Sequence, residues 1–131
     1  MADAAPLMNY VRIYSDAAGA SHFQDVTVEA AGAPSAGAVT SDPLPVAGLI
    51  FRRVPGGAAP AWHVAPRRQF IVHVEGEVEV EVSDGEIRTF SPGSVVLVED
   101  THGRGHITRP VGSMPRTTLS IALQEPDGPL G

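Results

Sequence analysis

"QFIVHVEGEVEVEVSDGEIRTFSPGSVVLVE", residues 69–99, decides the fold. Four short runs rich in β-branched residues stand in it: 69–75, 77–82, 86–90 and 94–99. Gly76, "SDGE" and "SPGS" punctuate them, which is the signature of successive strands and turns. In 77–82, Glu77, Glu79 and Glu81 alternate with Val78, Val80 and Val82. Side chains on a strand alternate with period two, so the valines face a core and the glutamates face water. The acidic stripe therefore reads as a solvated strand face and not as a cation site.

The run 69–75 differs. Phe70, Val72 and Val74 form one face and Gln69, Ile71 and His73 the other. Both faces are mostly apolar, which predicts a strand covered on both sides, with Gln69 and His73 looking into an interior space. A buried polar group needs a partner, so these two are satisfied by neighbours and water or they meet a ligand.

Outward from this stretch the same pattern repeats. "VTVEA" (26–30), "AGLIFRRV" (47–54) and "TTLSIAL" (117–123) read as strands, with "YVRIY" (10–14) as a further candidate and "HITRP" as a fresh extended segment. No segment carries a capped helical stripe. The prediction is one all-β domain, an antiparallel barrel or sandwich with almost no helix. Residues 31–46, rich in Ala, Gly and Pro, read as a loop long enough to cover something, and 124–131 as a flexible tail.

Composition narrows the function classes. The 131 residues suit one domain with one core. There is no cysteine, which excludes disulfides, thiolate nucleophiles and zinc–thiolate sites. All nine basic residues are arginine, against 15 acidic ones, for a net charge of −6. Such a surface repels phosphate backbones, so nucleic acid is not an expected partner. No apolar run reaches a membrane span, and a soluble, cytoplasmic protein is expected.

"WHVAPRRQFIVHVEGEVEVEV" (62–82) followed by "SDGEIRTFSPGSVVLVEDTHGRGH" (83–106) resembles the two motifs of the cupin superfamily. It resembles in particular small bacterial single-domain cupins with "PRRQ" and "EDTxGxGH" sequences. The resemblance covers roughly residues 47–123. It implies a double-stranded β-helix (jelly-roll) barrel, a homodimer, and a small-molecule pocket inside the barrel. Motif positions transfer one at a time. His63 falls on the first histidine of the H-x-H pair and Ala65 on the second; Gln69 falls on the glutamate. The second-motif histidine falls on His106, or on His102 in the alternative register; the turn "GRG" favours His106.

This chain thus departs from the metal-binding pattern. A Zn, Fe, Mn or Ni ion, if bound, would be held by His63, Gln69 and His106, with His73 as a further imidazole two strand steps from Gln69, and an amide brings no charge to offset a divalent cation. No cofactor is favoured. The candidate catalytic residues are His63, Gln69 and His106; the candidate substrate-binding residues are Phe51, Trp62, Arg67, Ile71 and His73. Arg67 and Arg68 present forks suited to an acidic substrate or to an ion pair with Glu99 or Asp100. The expected function is non-redox chemistry on a small, mostly apolar metabolite: isomerisation, cyclisation or dehydration, in the biosynthetic setting that the resemblance implies. A metal-dependent dioxygenase and a non-catalytic ligand sensor stand as the rival readings.

Overall fold

A computed structural model describes residues 6–124. Among these the chain forms nine strands and no helix, so no helix is long and apolar enough to cross a membrane. The strands are β1 (Pro6–Ser15), β2 (Ser21–Glu29), β3 (Val46–Val54), β4 (Gln69–Glu75), β5 (Glu77–Val82), β6 (Ile87–Phe90), β7 (Val95–Val98), β8 (His106–Val111) and β9 (Arg116–Leu123). They make a six-stranded sheet, β2-β1-β7-β4-β9-β3, and a three-stranded sheet, β6-β5-β8. The core is drawn from both. Val78, Val80 and Val82 are the valine face of β5, as alternation required; Phe90 comes from β6. Val96 and Val98 of β7 meet them from the large sheet.

Two features of the large sheet depart from expectation. First, the strands expected at 10–14 and 26–30 are longer, and β1 and β2 form a long hairpin that supplies the core residues Ile13 and Phe23. Asp16 closes the hairpin turn, accepting the amides of Ala18 (2.9 Å) and Ala20 (3.0 Å) on Oδ1. Second, β1 pairs with β7 in parallel, Val11 opposite Val96 and Ile13 opposite Val98, so the sheet is mixed and not purely antiparallel. The alternation of side chains is the same in both pairings, so the sequence pattern carries no sign of direction.

The loop 31–45 is exposed and closes on itself through a Ser35–Ala38 bridge; it lines neither of the cavities described below. The expected tail lies outside the described residues from 125 onward. The outer face of β4 is only partly covered: Phe70 and Val72 are half-buried and Val74 is 50% exposed.

The two sheets are joined at one corner by fully buried Ser21. Its amide donates to Ser83 Oγ (2.7 Å), and its hydroxyl accepts from the Ser83 amide (2.8 Å) and donates to the Gly105 carbonyl (2.6 Å). Gly105 is in turn pressed against the chain at His63. The amides of His63 and His106 each donate to the other's carbonyl, at 3.0 and 2.9 Å, an isolated antiparallel bridge. Gly105 has φ +72°, and a Cβ there would stand 2.0 Å from the His63 carbonyl oxygen. Only glycine allows this approach.

Gly105→Ala should therefore cost about 2–4 kcal/mol, from left-handed strain plus loss of the bridge. Urea denaturation checks this. A loss within about 0.5 kcal/mol, the ordinary scatter of surface substitutions, would show that the bridge does not hold the segment in place.

Candidate functional site

The bridge places two imidazoles side by side. His63 lies in the strandless segment before β4, and His106 begins β8; their ring centroids are 4.7 Å apart at 58°. Each ring is fixed through Nδ1. His106 Nδ1 meets Asp100 Oδ2 at 2.5 Å, with both residues buried. His63 Nδ1 donates to the Ala61 carbonyl at 2.9 Å. A carboxylate and a carbonyl are acceptors only, so both rings carry their proton on Nδ1. Both then offer Nε2 as a proton acceptor.

Asp100 is held by the same segment, its backbone carbonyl accepting the Ala65 amide at 3.0 Å. Its side chain is fully buried, and Oδ1 has no hydrogen-bond partner among the described residues. A buried carboxylate behind an imidazole fixes the tautomer and stabilises the imidazolium formed when Nε2 takes a proton.

His63 and His106 border a cavity of about 300 Å³ between the sheets. Gln69, Ile71 and His73 of β4 line it as the alternation predicted, and Thr108, Thr118 and Ser120 add hydroxyls. Ile13, Val80, Phe90, Val96 and Val98 make the rest largely apolar. His73 is buried and stacked on Phe90, ring centroids 5.9 Å apart at 14°. Its Nδ1 has no partner. Burial, and secondarily the charge of Arg116, push its pKa down to about 4, so it is neutral near pH 7.

The sequence-predicted residues therefore divide. His63, Gln69, Ile71, His73 and His106 share the cavity. Phe51, Trp62 and Arg67 stand apart from it: Phe51 is 78% and Trp62 45% exposed, and Arg67 is exposed in the loop before β4. Arg68 reaches Glu99, which also binds Arg12, so this arginine serves an ion-pair clamp. His102 is exposed, and its ring takes no place at the cavity. The sequence reading missed Asp100 as the partner of His106, Ile13 as a wall, and Arg52 and Arg116 at the cavity edge. For Asp100 the signal was present: it lies six residues before His106, across a glycine-rich turn.

The donor set does not fit a cupin metal. Ala65 offers no ligand, Gln69 offers an amide, and Asp100 is committed to His106. Among the described residues, no three His, Cys, Asp or Glu side chains are placed to hold one ion.

No family model matches the chain, and no curated protein matches it. Among solved structures it is similar to the crystal structure of protein NMB1881 from Neisseria meningitidis. The identity is 21%, over 58% of this chain and 72% of that one, with a TM-score of 0.45.

His73 makes stability depend on pH. Its folded-state pKa lies below the unfolded value, so the unfolded chain takes up the proton first on acidification. The corresponding stability is present above about pH 6.5 and lost as pH falls toward 4. Discounted for solvent screening, the effect amounts to about 2 kcal/mol between pH 7 and 4.5. Denaturation of His73→Phe at the two pH values should show a loss smaller by that amount than in the parent; equal losses would refute it.

Proposed function

We propose that this chain is a single-domain cupin of the jelly-roll type that binds a small, mostly apolar metabolite and performs non-redox acid–base chemistry on it. The observation that carries this reading is the Asp100–His106–His63 arrangement on an apolar cavity. The motif positions read from the sequence converge there, and His106 has the buried carboxylate that a proton-transferring imidazole needs.

In this reading His106 Nε2 removes or returns a proton, and Asp100 stabilises the imidazolium. His63 Nε2 serves the second proton position. Gln69 donates its amide N–H to an oxygen where charge develops. Neutral His73 donates or accepts a hydrogen bond without adding charge. The apolar walls orient the skeleton, and orientation alone contributes several kcal/mol to an isomerisation, cyclisation or dehydration. The site demands no redox equivalent, and a cytoplasmic biosynthetic setting suits it.

We also infer a homodimer. β3 is an edge strand with Leu49, Ile50 and Phe51 exposed on both its faces. Edges of this kind are ordinarily covered, and a second copy offers the matching strand. Light scattering should give a dimer, and Phe51→Arg should shift it to monomer; a parent that is monomeric across working concentrations would refute the dimer.

The functional reading is tested with a substrate found by a turnover screen. His106→Gln should lower kcat by about two to four orders of magnitude, the range for a positioned proton-transfer group. Asp100→Asn should lower kcat with KM little changed. Chelator should leave turnover intact, and Gln69→Glu should reduce it, since a donor becomes acceptor-only in a poorly hydrated cavity. Activity lost to chelator and restored by a divalent ion, or raised by Gln69→Glu, would favour the dioxygenase-type reading. No turnover of any metabolite that binds would favour the sensor.

A further inference from the structure

The nine arginines of this acidic chain fall into three groups. Five pair with carboxylates among the described residues: Arg12 and Arg68 with Glu99, Arg53 with Glu75, Arg88 with Asp25 and Glu86, and Arg109 with Glu79 and Glu81. Arg67 and Arg104 are exposed in loops. Arg52 and Arg116 are different. They line the cavity, and no carboxylate lines it with them.

Register explains the placement. On the paired strands β3 and β9, Arg52 stands opposite Thr118 and Val54 opposite Arg116, so the two arginines are diagonal neighbours on the inward face. The adjacent Arg53 points outward, where Glu75 lies 3.9 Å away. One strand thus carries one arginine supplied with a counter-ion and one without. Arg116 is half-buried, and its Nε has no hydrogen-bond partner. Burial, then the like charge of Arg52, hold it below the ordinary arginine value. The neighbouring unpartnered group on that wall is His73, whose titration Arg116 already influences.

Arg52, Arg116, His63 and Thr108 also border a second cavity of about 380 Å³, walled by Val54, Pro55, the 58–61 segment and Met114. The arginine pair therefore sits where the two spaces meet. In a chain of net charge −6, half-buried Arg116 has a like charge beside it and no carboxylate on the cavity wall, and an anion arriving there would offset both its burial and that repulsion.

We propose that Arg52 and Arg116 bind the carboxylate of the ligand, and that the ligand of this cavity is a small carboxylic acid with an apolar body. The inference rests on the acid–base reading of the same cavity and specifies its substrate class. The guanidinium forks match a carboxylate with charge-assisted hydrogen bonds. The apolar body then lies against Ile71, Val80, Phe90 and Val96, within reach of the two imidazoles. His63 and His106 of the same cavity supply the proton chemistry.

The test is calorimetric binding of benzoate, cinnamate and 4-phenylbutyrate, each beside its own primary amide. The parent protein should bind at least one acid about tenfold or more tightly than its amide, a preference of about 1.4 kcal/mol. Added salt should weaken the acid and not the amide. Arg52→Gln and Arg116→Gln should each reduce the preference, and the double variant should abolish it. Arg52 is exposed on an edge strand, so its single variant keeps the test valid if Arg116→Gln fails to fold. His106→Gln should retain the preference, which separates this outcome from failure of the acid–base reading. Equal binding of acid and amide, a preference that survives Arg52→Gln undiminished, or no binding of any of the three acids at millimolar concentration would overturn it. Phenyl phosphate is the comparator: binding it in place of all three carboxylates overturns the assignment to carboxylic acids.

Discussion

The pairing of the two imidazoles at the cavity depends on the pair of backbone hydrogen bonds between His63 and His106. Residues 55–68 form no strand, so the height of His63 against β8 is set by such isolated backbone bonds. Gly105 makes the bridge sterically feasible by bringing backbone against backbone. Ser21 then pins the carbonyl of the same glycine from the other side. The Ala65 amide extends the seam to Asp100. Ring spacing and the placing of Asp100 behind His106 follow from this one seam. A site built on it is more rigid than its position in a loop would suggest.

The charge layout has a comparable logic. Five outward-facing arginines are matched to carboxylates, most tightly where Glu99 lies between Arg12 and Arg68 on the outer face. Asp100, the next residue, points the opposite way and serves His106. Strand-like alternation at "ED" thus sends one carboxylate to a structural clamp and the next to the site. The same parity at "RR", 52–53, sends one arginine to Glu75 and one to the cavity. Two adjacent identical or near-identical residues acquire unrelated roles from a period of two.

Parity also sets what could be read in advance. The spans of β4 and β5 follow the alternation of "QFIVHVE" and "EVEVEV" residue for residue, and Gln69, Ile71 and His73 reach the cavity because they share one parity. The convergence of His63 with His106 was legible only through motif spacing, since 43 residues separate them. The parallel β1–β7 pair was not legible, because side-chain alternation is blind to strand direction. Ile13 as a cavity wall was hidden with it. Phe51 and Trp62 were placed by hydrophobicity alone, and β3 is an edge strand, where large apolar residues stand exposed to water or await a partner surface. Arg52 and Arg116 required knowledge of the β3–β9 register, a relation between segments more than 60 residues apart.

The strand order has a kinetic consequence. β9 lies between β4 and β3, and β7 joins β4 to the N-terminal hairpin. Apart from the β1–β2 hairpin, no two neighbours in the large sheet are adjacent along the chain. As the polypeptide leaves the ribosome, β3 therefore emerges with Leu49, Ile50 and Phe51 and has no strand to pair with until β9 follows, more than 60 residues later. At synthesis rates of about 5–20 residues per second, this sticky edge is unpaired for several seconds. High contact order slows the closing step further. The prolines and glycines that crowd 31–45 and 55–60 are poor β-formers, and they flank this strand on both sides. They act as gatekeepers, limiting how far an intermolecular ladder begun at β3 can grow before β9 claims it.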